Sequence, residues 1–363
     1  MSNSVTFERY SAAPAAVPAV RACDDRAMLK AAADLTRELN SPDRRIYWLD
    51  LLFSAGIGYG ALAAAILVPA AGWALVAGLV AILALYRAGS FIHEITHLKP
   101  RAVPGFRFVW NALVGVPLLV PSFMYEGVHN QHHAKRYYGT ADDPEYLPLA
   151  LMKPSTLPLF LLAALLAPVG LLIRFALLAP LSLLSPKLRE TVVAKYSGLQ
   201  INPRFRRPAP EGRFRRDWLV LEAACSIWAI ALIALTATGV LPLKAFLIFL
   251  GVTSGVMFLN QVRTLVAHLW ENEGEPMSVT AQYLDSVNVP PPATLPILWA
   301  PVGLRYHALH HLLPGLPYHA LGTAHRRLCA ALGTESIYHE TSHRGLSGLV
   351  ARLARSSWRV RDY

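Results

Sequence analysis

The chain has 363 residues, of which 54% are hydrophobic and 16% charged, against about a quarter charged in an ordinary soluble chain. That composition and a mean hydropathy of +0.36 exclude a pair of ordinary soluble domains and favour one membrane-embedded unit. The net charge of +11 comes without any aromatic–basic motif, which excludes a nucleic-acid binder, and Cys23, Cys225 and Cys329 lack the spacing of a disulfide or iron–sulfur framework.

Residues 1–45 read as a flexible cytoplasmic N-terminus. Ala and Pro alternate near 12–19, and Asp24, Asp25 and Arg26 interrupt any signal-peptide core. Residues 48–69 and 71–92 predict two membrane spans separated only by the Ala71-Gly72 break. Residues 218–240 and 243–264 predict a second pair, joined by the Gly-Val-Leu-Pro-Leu turn at 239–243. Between the hairpins, 106–124 contains Asn111, Pro117 and Pro121, and 156–184 contains Pro158, Pro168, Arg174 and Pro180. Both begin and end on the same side by charge, so both are expected to be interfacial or re-entrant helices, the second alternatively a tight hairpin. Residues 46–335 form the membrane domain and 336–363 a basic cytoplasmic tail.

Charge asymmetry sets the orientation. Arg44, Arg45, Lys99, Arg101, Arg107, the run Arg204, Arg206, Arg207, Arg213, Arg215 and Arg216, and Arg352, Arg355, Arg359 and Arg361 all fall on one side, with little more than Lys244 opposite. Both termini and the long loops are therefore expected in the cytoplasm, with the basic side facing anionic lipid.

Three histidine clusters stand beside these apolar segments: His93 and His97 in HxxxH, then His129, His132 and His133, and His307, His310 and His311, each in HxxHH. Residues three and four apart share a helix face, so each cluster is expected to present its imidazoles together, with His132 and His310 on the face of the two histidines that flank them. One HxxHH arises by chance in roughly one such chain in fifty, so two beside an HxxxH point to metal binding. Eight histidines exceed one mononuclear site, and two metal ions are the economical reading. His268, one turn beyond the fourth span, is a ninth candidate. Nine nitrogens leave room for the larger shells that iron accepts, whereas zinc usually closes at four. Glu94, Glu126, Asp142, Asp143 and Asp285 are the carboxylates near enough in sequence to orient the imidazoles.

These boxes, with Arg263-Thr-Leu-Val-Ala-His268, Asp285-Ser-Val-Asn288 and the run from Gly303 to His319, resemble the membrane fatty acid desaturase family, bacterial type, over roughly residues 45–335. The resemblance implies an all-α integral membrane fold: two transmembrane hairpins (four spans), interfacial helices and a cytoplasmic helical cap carrying the metal site. It implies two iron ions cycling between Fe2+ and Fe3+, O2 as co-substrate and a fatty acyl or lipid substrate. Its ligand set carries over onto His93, His97, His129, His132, His133, His268, His307, His310 and His311. Where animal relatives have an Asn one turn before the isolated histidine, this chain has Thr264. His319, His325, His339 and His343 match no ligand position.

No haem-binding motif or cysteine cluster accompanies the boxes, so electrons are expected from a separate donor: a ferredoxin, a rubredoxin, or a cytochrome b5-like protein with its reductase. The basic face at 204–216 is a docking candidate, and Arg305, Tyr306, Trp270 and Trp299 are candidates for the head group or tunnel mouth. The expected reaction is introduction of a cis double bond into an acyl chain at the bacterial inner membrane. The same boxes also serve hydroxylases and terminal-alkene-forming decarboxylases. A histidine-rich metal transporter is the alternative of another class, but its ligands would lie near the bilayer midplane rather than at span ends.

Overall fold

The computed structural model describes residues 24–359, so the Ala/Pro stretch at 12–19, Cys23 and Arg361 lie outside the described residues. Among the described residues the chain is helical, with only isolated β-bridges between loops. The part of the N-terminus expected to be flexible contains α1 (Arg26–Thr36), opened by Asp25, whose carboxylate accepts from the Met28 amide at 3.0 Å. Met28 and Ala32 bury it in the core that packs around the third histidine cluster.

Helix α2 (Arg44–Leu67) starts where the Asp43 carboxylate accepts from the Arg45 amide at 2.8 Å, and α3 (Ala71–His97) follows after a three-residue turn. At 1.5 Å per residue α3 is about 40 Å long, against roughly 30 Å of hydrocarbon. The helix is thus longer than the hydrocarbon requires, and its last turns carry His93 and His97. Phe53, Ile57, Trp73 and Leu75 stay exposed on the outer face of the hairpin, as lipid contact requires, while Leu51, Leu85 and Phe91 are fully buried between its helices.

The next stretch, α4 (Phe106–Trp110), runs through a π-helical turn at Asn111–Gly115 and then doubles back. The Asn111 side chain closes the bend: its Nδ2 donates to Ser122 Oγ at 2.9 Å and its Oδ1 accepts from the Ser122 amide at 2.8 Å. Arg107 at the start and Glu126 at the end form an ion pair at 2.7 Å. Both ends of the stretch are thus on one level. Helix α5 (Val128–His132) follows.

Residues 156–184 do not form the tight hairpin considered above. They form one continuous helix, α6 (Thr156–Ile173), a π-helical turn at Arg174–Leu178 and α7 (Ala179–Ser182). In apolar surroundings the chain keeps its hydrogen bonds internal, and the prolines cost a bond without breaking the helix. Thr156–Ser182 is therefore a fifth helix long and apolar enough to cross a membrane, beside Arg44–Leu67, Ala71–His97, Gly212–Ala237 and Leu243–Leu265. Its first turn packs with Phe160 on Leu265 and Trp270. Beyond it comes the charged helix α8 (Pro186–Tyr196), and the chain then returns to bond Met124 and Pro144 through Leu199 and Ile201.

Helices α9 (Gly212–Ala237) and α10 (Leu243–Leu265) form the second hairpin. Gly255 lets α10 press against α3: an added Cβ would lie 2.5 Å from Ile82 Cδ1. Glu222 of α9 accepts from Arg174 and, at 2.6 Å, from Arg189, with Glu222 and Arg174 both buried. Glu222→Leu strands two cations, one of them deep, and is expected to cost about 3–5 kcal/mol, read as a lower thermal unfolding midpoint in detergent. An unchanged midpoint would show that this ion pair does not anchor Thr156–Ser182.

The remaining helices build the metal-side layer: α11 (Val279–Asp285), α12 (Pro296–Trp299), α13 (His307–Leu312), α14 (Leu321–Ala331) and α15 (Leu346–Arg359). Leu349 and Leu353 of α15 are buried, so the basic tail is docked on this layer. Tyr318, just past the third cluster, clasps the first hairpin. Its hydroxyl donates to Asp50 at 2.9 Å, its amide to Glu94 at 3.2 Å, and its ring packs edge-on against Tyr47 and Phe91.

Candidate metal centre

Four segments deliver the nine histidines to one place. His93 and His97 sit on the last turns of α3. His129 and His132 lie on α5, and His133 closes it. His307, His310 and His311 lie on α13. His268 follows α10 in a loop clipped to the Asp285–Asn288 segment, where the Leu269 amide donates to the Asp285 carbonyl at 2.6 Å and the Val287 amide to the Ala267 carbonyl at 2.9 Å. The same segment sets α13, because Asn288 Oδ1 accepts from the Leu309 amide at 3.1 Å. One extended strip therefore positions both His268 and the third cluster.

The imidazoles divide into two groups: His93, His97, His129, His133 and His310, and separately His132, His268, His307 and His311. Within each group the ligand nitrogens lie within 4.8 Å of one another. This differs from the expectation that each HxxHH presents its three histidines to one place. In α5 the pair four apart, His129 and His133, enters the first group and His132 the second. In α13 the pair four apart, His307 and His311, enters the second and His310 the first. Neighbouring positions on a helix are turned about 100° apart, so the boundary between the groups can fall between residues 132 and 133, or 310 and 311.

The nitrogens meet as lone pairs aimed at common points. Nε2 of His133 lies 3.0 Å from Nε2 of His129 and 3.1 Å from that of His310. Nε2 of His307 lies 3.0 Å from that of His268 and 3.2 Å from that of His311. Nitrogens about 2.1 Å from one ion and at right angles would be about 3.0 Å apart. Nε2 of His93 and of His97 are buried with no hydrogen-bond partner at all. A buried donor set that the surrounding described residues leave unsatisfied fits a pair of metal ions.

Partners on the far nitrogens fix the tautomers. His129 Nδ1 donates to Glu145 at 2.6 Å, and His132 Nδ1 to Asp143 at 2.9 Å. His268 Nδ1 donates to the Tyr138 hydroxyl at 2.8 Å, which donates onward to Asp285 at 2.8 Å. Each bond leaves the Nε2 lone pair facing its group. Burial, reinforced by neighbouring imidazoles, holds His129, His133, His268, His307, His310 and His311 well below the usual histidine range, in the neutral form that ligates. Burial would also depress His132, but Asp143 outweighs it and raises it. Burial pushes Glu145 up to about 7 and Asp285 up to about 6.

Of the five suspected carboxylates, Asp143 touches an imidazole and Asp285 acts through Tyr138. Glu94 accepts from Tyr47 and Tyr318 with one oxygen and brings the other within 3.8 Å of His93 Nδ1, Glu126 pairs with Arg107, and Asp142 is exposed. Glu145, Tyr138 and Tyr125 were missed. The available signal was the run Asp142-Asp143-Pro144-Glu145-Tyr146 shortly after the second cluster, since Pro144 stiffens a loop that turns two carboxylates inward. Among the mouth candidates Trp270 lines the cavity described below. Arg305 is tied to the carbonyls of Val289 and Ala293, Tyr306 packs at a tilt against His325, and Trp299 packs in the core. Arg207 is buried against the carbonyls of Ser197 and Glu126, so it serves the fold rather than a docking face.

His319, His325, His339 and His343 stand apart from both groups. His339→Ala is expected to leave metal content and turnover unchanged, because its ring meets the Gly333 carbonyl at 3.2 Å and the Tyr338 ring edge-on, and belongs to neither group. Loss of metal in that variant, measured by elemental analysis, would break the ligand assignment.

Beside both groups a cavity of about 380 Å³ opens between α3, α6 and α10. Val114, Leu118, Ala164, Ala167 and Val256 make its walls apolar, and His93, His129, His132, His268 and His307 line its metal end. A slot of this shape accepts an alkyl chain and brings one of its carbons to the histidines.

Residues 67–342 match the pattern of the fatty acid desaturase family. The chain belongs to the fatty acid desaturase family. A ceramide hydroxylase of Caulobacter vibrioides (strain NA1000 / CB15N) is 50% identical over 335 residues, which are 92% of this chain and 95% of that protein. No solved structure matches. The family's members are membrane oxidoreductases of fatty acyl lipids, and this chain is one of them: an enzyme, integral to the membrane, with a fatty acyl or lipid substrate.

Proposed function

We propose that this desaturase-family member is an O2-dependent hydroxylase of ceramide-type lipids, and that its two histidine groups each hold one iron ion. The observation that carries the choice of reaction is the 50% identity to a ceramide hydroxylase along nearly the whole of both chains. The expected cis double bond is the second reading, favoured by the family pattern over residues 67–342. In hydroxylation a C–H bond of the substrate is replaced by C–OH. One oxygen atom of O2 enters the product and the other leaves as water, with two electrons and two protons from a separate reduced donor.

The nine histidines would hold the ions as neutral ligands, and bound iron would supply activation of O2. Everything else falls to the chain. Asp143, Glu145 and the Tyr138–Asp285 pair keep the rings in place. The apolar walls align the alkyl chain and keep water from the reacting carbon.

For the membrane, we infer four spans with both termini and the histidines on the cytoplasmic side, and Thr156–Ser182 lying obliquely on that same side. The support is its two ends: Phe160 packs beside Trp270, and the segment after α8 bonds back to Met124 and Pro144. The exposed Arg206, Arg213, Arg215 and Arg216 offer an acidic ferredoxin, rubredoxin or cytochrome b5-like donor a surface.

The test is expression in a bacterial host with a donor system, fed N-palmitoyl sphinganine, followed by lipid mass spectrometry. A product carrying one added oxygen supports hydroxylation. A product lacking a pair of hydrogens supports desaturation, and neither product would overturn both.

A further inference from the structure

We propose that the end of the cavity at the last turns of α10 is a head-group site built for a neutral group with both hydrogen-bond donors and acceptors, gripped by Arg263 and Gln200 with Asn260 and Gln261, and that the oxidised carbon therefore lies within a few bonds of that head. The proposal rests on the lipid-oxidising reading above and adds what part of the lipid the site recognises.

Arg263 is 8% exposed, makes no ion pair within 4.0 Å among the described residues, and its Nε has no hydrogen-bond partner. It lines the cavity and faces the Tyr86 and Tyr125 hydroxyls rather than a carboxylate salt bridge. A guanidinium offers donors only, and burying one with a donor unused is costly unless a ligand supplies the acceptor. Gln200 supplies the complement. Its Nε2 donates to the Phe205 carbonyl at 3.2 Å, which turns Oε1 inward, and that oxygen is buried with no donor. Asn260 and Gln261 line the same cavity. Polar side chains on a membrane helix that face a cavity rather than one another mark a binding site.

The donor and acceptor pattern selects the ligand. A carboxylate would satisfy Arg263 but brings no donor for Gln200. An acyl amide with neighbouring hydroxyls brings a carbonyl for Arg263 and N–H or O–H donors for Gln200 and the Asn260 amide. Position then limits where oxidation falls. Arg263 stands on the last turn of α10 and His268 only five residues on, in the loop that follows the helix, and Thr264, Ala267 and His268 continue the same wall. A head held there leaves only a short length of chain before the histidines.

Binding can be read without the reaction. Full-length, metal-free protein in nanodiscs would be titrated with radiolabelled N-palmitoyl sphinganine and, separately, with palmitic acid. The amide lipid is expected to bind more tightly. Arg263→Met should weaken it by about tenfold and Gln200→Leu severalfold, with palmitic acid affected less and Arg263→Lys restoring part of the loss. In iron-loaded protein the same variants should raise KM more than they lower kcat, with iron content unchanged. Tandem mass spectrometry should place the oxidised carbon close to the amide. Equal binding of the two lipids, unaltered binding by the variants, or oxidation far along the chain would overturn the proposal. If Arg263→Met does not fold, the Gln200→Leu titration and the wild-type preference decide alone. A head-proximal, Arg263-dependent double bond would refute hydroxylation yet uphold the head-group site.

Discussion

His132→Ala protein is expected to carry about one iron ion per chain instead of about two and to form no product. His132 is one of only four nitrogens in its group, whereas the other group keeps all five of its histidines in this variant. The residue is 1% exposed, so Ala opens a buried hole that water can enter without replacing a ring held by a carboxylate. Elemental analysis of purified protein gives the iron count, and a size-exclusion profile matching wild type shows that the fold survived. His310→Ala removes one nitrogen from the group of five, so a smaller loss of iron is expected with the same loss of turnover. Full iron and full turnover in His132→Ala would remove the second group from consideration as a metal site.

Asp143→Asn is expected to weaken metal binding by about 10–100-fold, the usual cost of losing a partner one shell beyond the ligand. Asp143 is fully buried, and both its oxygens face His132 Nδ1, at 3.0 and 2.9 Å. It also accepts from the amides of Gly139 and Glu145 at 2.8 Å each, so one carboxylate shapes the loop that carries Glu145 to His129. Asn keeps the volume and one acceptor oxygen, which limits damage to the loop, but it removes the charge that raises His132. Competition with a chelator would measure the shift. The neighbouring Asp142→Asn serves as control, since that side chain is exposed. Equal chelator resistance in both variants would mean that Asp143 holds the loop and not the metal.

Much of the architecture was legible because membrane burial writes itself into composition. Helix boundaries at Arg44–Leu67, Ala71–His97, Gly212–Ala237 and Leu243–Leu265 fall within a few residues of the apolar runs at 48–69, 71–92, 218–240 and 243–264. The stretch 156–184 was harder. Its prolines and Arg174 suggested interruption, yet Arg174 is neutralised by Glu222, 48 residues away, and the helix runs on through a π-helical turn. No local pattern announces a partner at that distance.

The histidines divide along the same line. By itself the sequence picked out the nine imidazoles that come together, eight of them in three clusters, because spacings of three and four are properties of a single helix. It also made two ions, rather than one, the economical reading, and the structure offers two groups that could each hold one. Only the tertiary structure decided which group each ring joins, that Glu145 and Tyr138 hold two of them, and that Arg263 lines the cavity with its Nε left without a partner. Those outcomes depend on how far α3, α5 and α13 are rotated about their own axes when they pack. Contacts such as His133 with His310, 177 residues apart, set that rotation, and no spacing within a helix records it.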